Sequence, residues 1–137
     1  MATGEMRRLL LHGSNDQSFD RSVSFAGRLA RAFNADLHVV YVIEEPLKAG
    51  WTAEMPTSRL PELHAAMEEE ARERLSGLLP AELQERITIA IRTGDTADEL
   101  VRYTQENMVD LAIVHGSDEH SRAFAENGRC SVLILRP

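Results

Sequence analysis

Cysteine is nearly missing from this chain: Cys130 is the only one among 137 residues. No internal disulfide can form, and there are too few thiolates for a cysteine zinc site. Positive charge is in deficit, with 15 Lys and Arg against 22 Asp and Glu and a net charge of −7. That balance argues against nucleic acid, whose phosphates favour basic surfaces. No apolar run approaches the roughly 20 residues of a membrane span, and Leu9 to Leu11 is too short for a secretory signal. The composition that remains, 43% hydrophobic and 27% charged, is that of a globular protein with a genuine core. We expect one cytoplasmic domain over residues 1–137, with no membrane or nucleic-acid partner.

Apolar runs of strand length alternate with helical patterns. The runs are Arg8 to His12, Leu37 to Ile43, Ile87 to Ile91, Leu111 to Val114 and Val132 to Leu135. Most are apolar on both faces, as in a parallel sheet covered by helices. Phe19, Val23, Ala26, Ala30 and Phe33 form one helix stripe, which Asn34 can close in the left-handed conformation. Leu63, Met67, Ala71, Leu75 and Leu78 form a second, over about Pro61 to Leu79, with Glu68 to Glu70 on its solvated side. A third helix opens on Thr96-Ala97-Asp98-Glu99, a capping-box pattern, and turns Leu100, Val101, Thr104 and Met108 inward. A fourth runs from Asp118 to Asn127, about 15 Å at 1.5 Å per residue, and stops at Gly128. This alternation predicts βαβ crossovers and a doubly wound sheet. Glu44 to Leu60, with Pro46, Gly50, Trp51 and Pro56, has no clear period and is long for a connection; covering a sheet edge is the simplest role for Trp51.

The tripeptide His-Gly-Ser occurs twice, at His12-Gly13-Ser14 and His115-Gly116-Ser117, each time closing an apolar run. Such strand-to-helix turns line the ligand crevice of an open α/β sheet where the strand order reverses. His12, Gly13, Ser14, Asp16, Val42, His115, Gly116, Ser117 and Asp118 are the candidate crevice residues. His12 and His115, with Asp16, Asp118 and His120, supply donors for a divalent ion, but no short His-x-x-x-His element fixes two of them together. Neither turn reads Gly-x-Ser-x-Gly, the nucleophile elbow of α/β-hydrolases. A metal-dependent or histidine-based hydrolase is the alternative of another class, and we expect no metal and no catalytic residue.

From end to end the chain resembles the universal stress protein family. The residues that carry the resemblance are Arg8 to Ser14, Phe33 to Val42, Thr93-Gly94-Asp95-Thr96-Ala97-Asp98-Glu99-Leu100, Val109 to Val114 and Cys130 to Leu135, in their order and spacing. The resemblance implies a five-stranded parallel sheet of order 3-2-1-4-5 with helices on both faces, and it puts the two His-Gly-Ser turns at the switch between strands 1 and 4. It also implies a stress-response role.

ATP-binding members carry a glycine pattern after the fourth strand, from which this chain departs. Gly116 matches the first glycine, Glu119 stands at the second, and only thirteen residues separate Gly116 from Cys130. His12 stands where the family pattern has an acidic residue, and Val42 matches the position whose backbone meets an adenine edge. Carboxylates at Asp118 and Glu119 suit a helix N-terminus and take the electrostatic role that a phosphate would have. Asp16, Glu44 and Glu45 are expected on the same rim. We therefore expect no cofactor, ATP included, and activity through partner or small-ligand binding rather than turnover. A nucleotide sensor with a reduced site is the nearer alternative. The last strand, apolar on both faces and at a sheet edge, invites pairing, and the resemblance implies a homodimer through Val132, Leu133, Ile134 and Leu135.

Overall fold

Five short segments, most of them apolar on both faces, pair into an all-parallel sheet of order β3-β2-β1-β4-β5. The structure, a computed structural model, describes residues 6–14, 17–44, 59–116 and 119–136. The strands are β1 (Arg8–His12), β2 (Asp36–Ile43), β3 (Ile87–Thr93), β4 (Leu111–His115) and β5 (Ser131–Leu135); the helices are α1 (Ser18–Phe33), α2 (Leu60–Leu78), α3 (Ala81–Gln84), α4 (Thr96–Glu106) and α5 (Glu119–Asn127). The expected fold class is the one observed. Asn15, Asp16, Ser117, Asp118, Glu45 and most of the 44–60 segment, Trp51 included, lie outside the described residues, as does the side chain of Glu119.

Alternation along each strand splits the core into two layers. Leu9, Leu11, Leu37, Val39, Tyr41 and Ile113 face α1, α2 and α3. Leu10, Val40, Ala112 and Val114 face α4 and α5, which contribute Leu100, Tyr103 and the fully buried Phe124. Each completely buried Leu, Phe or Val is worth about 1.5–3 kcal/mol, so two full layers hold the sheet. Asp110 ties the amino ends of β1 and β4 together: its Oδ2 accepts from the backbone N–H groups of Arg7 and Arg8 at 2.8 and 3.0 Å.

Asn34 closes α1 with φ 55°, as expected, and its N–H reaches the carbonyls of Ala30 and Arg31. Four local expectations are corrected. Asp95, not Thr96, caps α4, its carboxylate accepting from the Asp98 N–H at 3.1 Å; a carboxylate one residue earlier outcompetes the threonine hydroxyl. Glu99, the expected partner in the capping box, pairs instead with Arg102. Met108 is 74% exposed because α4 ends at Glu106 and Met108 turns left-handed at φ 52°; Tyr103 fills the inward place. Phe33 is also exposed, at the last turn of α1. A further short helix, α3, follows Pro80 and inserts Leu83 beneath α1 and α2.

Candidate functional site

The carboxyl ends of β1, β2 and β4 carry the candidate residues, and hydrogen bonds set both turns. At the first, the Gly13 N–H donates to the Val40 carbonyl at 2.8 Å, extending the β1–β2 ladder past His12. The Ser14 carbonyl accepts from Arg74 of α2 at 3.5 Å. A Cβ on Gly13 would lie 2.7 Å from the Tyr41 ring, so the close approach demands glycine. At the second, the Gly116 N–H donates to the Leu135 carbonyl at 2.7 Å, and the buried Ser121 hydroxyl donates to the His115 carbonyl at 2.7 Å.

The two turns sit on neighbouring strands but are staggered by one residue. Leu11 is level with Ile113, so the next row pairs His12 with Val114. His12 also shares a row with Val40, whose side chain lies in the α4/α5 layer. His115 is level with Leu135, which packs with the α1/α2 layer. Because side chains alternate along a strand, His12 leaves the sheet toward α4 and α5, and His115 leaves it toward α1. An ion liganded by both would have to be reached around the strand ends. Among the described residues no group of three or more His, Cys, Asp or Glu side chains could hold a metal.

Around His12, on the α4/α5 side, the crevice gathers residues from distant parts of the chain. Val42 packs half-buried against that layer. Beyond it Glu44 leaves β2, and its Oε1 lies 2.9 Å from Nε2 of His120 in the first turn of α5. The same oxygen accepts from the Thr96 hydroxyl at the start of α4, at 3.4 Å. One carboxylate thus links the end of β2 to the N-terminal turns of two helices, where their dipoles favour negative charge. Gly94, with φ 146°, makes the bend into α4, and its N–H donates to the Ile43 carbonyl at 2.9 Å.

Burial sets the titratable groups in the two core layers. The His38 imidazole, 2.6 Å from the Tyr103 hydroxyl, has its pKa lowered by desolvation and then by Arg8, against a smaller opposing effect of Asp36. Burial raises the Tyr41 phenol to about 12, and it holds Cys130 as a thiol with a raised pKa, the reverse of what a nucleophilic cysteine needs. Of the candidates, His12, Gly13, Ser14, Val42, His115 and Gly116 are placed at the strand ends; Asp16, Ser117 and Asp118 lie outside the described residues. Thr96 joins the crevice without having been expected there. Its only signal was the helix start, which reads equally well as a cap.

A family model for the universal stress protein family matches residues 6–136. No curated protein sequence matches. Among solved structures the chain is similar to the universal stress protein UspA from Lactobacillus plantarum, with TM-score 0.74 and 16% identity over 96% of this chain and 99% of that one. It is similar to a universal stress protein in complex with cAMP, with TM-score 0.67 and 22% identity over 96% and 98%. A third, from Archaeoglobus fulgidus in complex with dAMP, gives TM-score 0.61 and 14% identity over 94% and 96%. At these identities the structural likeness speaks for the fold alone.

Proposed function

The chain belongs to the universal stress protein family, and from that premise we propose that it acts in stress response as a cytoplasmic homodimer. It binds a partner or small ligand, turns nothing over, and has no robust ATP site. The observation that carries this reading is the Glu44–His120 contact at 2.9 Å. It sets a carboxylate on the rim where a triphosphate would lie and occupies the imidazole that would otherwise meet it. Like charges about 4 Å apart cost roughly 1 kcal/mol in water and about 4 kcal/mol near a protein surface. The passage from His115 at the end of β4 to Glu119 at the start of α5 supports the same reading, because it spans too few residues for a glycine phosphate loop.

A second reading, an adenine-nucleotide sensor with a reduced site, draws on Val42 at the crevice wall. The relatives solved with cAMP and dAMP hold monophosphates, which need less of a cradle. Thermal shift with ATP, dAMP and cAMP, each with and without Mg2+, separates the two. Ligand at about 100 times its Kd adds about 2.7 kcal/mol, a rise of a few degrees at this size. We expect no rise with ATP. A rise with ATP overturns the proposal, and a rise with dAMP or cAMP alone favours the sensor when it is lost in a Val42→Glu variant.

A further inference from the structure

A cleft of about 520 Å3 opens on the α1 side of the sheet, away from the crevice around His12. That volume is within the range of small-molecule sites, roughly 300–1,000 Å3. One wall is a stripe of α1 carrying Arg21, Phe25 and Arg28; the other is the carboxyl ends of β4 and β5, with His115, Leu135 and Arg136. The stagger of the two His-Gly-Ser turns is what delivers His115 here rather than beside His12.

Positive charge gathers in this cleft, where Arg21, Arg28 and Arg136 share one lining. Arg31, Arg72, Arg74, Arg86, Arg92 and Arg102 each hold a carboxylate. Arg21, Arg28 and Arg136 hold none among the described residues, although the chain carries an acidic excess. Among the described residues the only carboxylate on the lining, Asp20, is bound at 3.0 Å by Arg74 from outside it. Arg28 stacks 5.8 Å from the centroid of the Phe25 ring, which restrains its guanidinium beside an apolar surface. Three guanidiniums offer more forked donors than one carboxylate can accept, whereas a phosphate monoester presents three acceptor oxygens and close to two negative charges.

We propose that the α1/β4/β5 cleft binds a small organic phosphate, its phosphoryl group on Arg21, Arg28 and Arg136 and its apolar body against Phe25 and Leu135. Of the candidate crevice residues only His115 lines this cleft, while Val42, Glu44 and His120 do not, so the assignment stands apart from what the crevice around His12 binds.

Phenyl phosphate is the probe, titrated into the protein while backbone amide shifts are followed by NMR; benzoate and inorganic phosphate are run beside it. The expected result is saturable shifts confined to α1 and the end of β5. Affinity should fall about tenfold or more in the double variant Arg21→Gln/Arg28→Gln and in Arg136→Gln. All three arginines are exposed, so these variants should melt like the wild type, and Glu44→Gln should leave phenyl phosphate binding unchanged. Scattered shifts, unaltered affinity in the arginine variants, or equal binding of benzoate or inorganic phosphate would overturn the proposal.

Discussion

Gly13 lies against the face of Tyr41 so closely that a Cβ would stand 2.7 to 2.8 Å from three of its ring carbons. The ring is itself fixed, edge-on to Phe19 with centroids 5.8 Å apart. It cannot swing away without opening the layer beneath α1. Gly13→Ala should therefore cost about 1–3 kcal/mol, measured by urea unfolding. Tyr41→Leu should recover most of that loss when combined with it, because the clash is with the ring. A full loss persisting in the double variant would mean that the backbone at Gly13, not the space, is what matters.

Tyr41 also reports on its own burial. Its phenol is raised to about 12, first by desolvation, with Arg74 opposing. The folded value lies above the ordinary value near 10, so this contribution to stability is complete below about pH 10 and is lost as pH rises toward 12. Burial raises the Tyr103 phenol as well, so tyrosinate absorbance should show neither phenol ionising freely at about pH 10 and Tyr41 resisting furthest, toward 12. Ionisation of both tyrosines near pH 10 with the fold intact would contradict the packing described.

His38 works in the opposite sense. Its folded pKa is lowered from the ordinary value of 6.5, chiefly by desolvation. The neutral ring stabilises the fold above pH 6.5, and that contribution is lost progressively as pH falls from 6.5 through the lowered value. NMR titration should place the His38 midpoint below 6.5. His38→Gln should flatten the fall in stability between neutral pH and pH 5; an unchanged slope would assign it to other groups.

The strand pattern was legible because most of the runs are apolar on both faces, which suits a covered parallel sheet. Register was not. Leu11 and Ile113 are interchangeable as core residues in sequence, yet their being level decides that His12 and His115 take opposite faces. The Glu44, Thr96 and His120 cluster joins three elements remote in sequence, and each of the three has an ordinary local explanation. Arg21 and Arg28 likewise look like the solvated side of a helix until β5 is placed beside them. Local chemistry also misled at α4, where a threonine box was overridden by the preceding aspartate.

That override is measurable. Asp95 accepts from the Asp98 N–H with its side chain, whereas the Thr96 hydroxyl is directed to Glu44. Asp95→Ala should cost about 1 kcal/mol, within the usual 0.5–2 for an N-cap. Thr96→Val should cost less in stability while disturbing the amide signals of Glu44 and His120. Equal losses with no shift at those residues would restore the threonine as the cap.

The proposed dimer rests on the free edge of β5, where Ile134 is 49% exposed. Phe33 is a matched control: it is 47% exposed, equally apolar, and sits at the end of α1 rather than on a strand. If exposed apolar area alone drove association, lysine at either position would weaken it alike. If edge pairing drives it, only the strand should respond, because a lysine on an edge strand hinders the ladder of a second copy. Ile134→Lys should convert the dimer to monomer in light scattering, and Phe33→Lys should leave it dimeric. A monomeric wild type, or equal dissociation in both variants, would remove β5 as the interface.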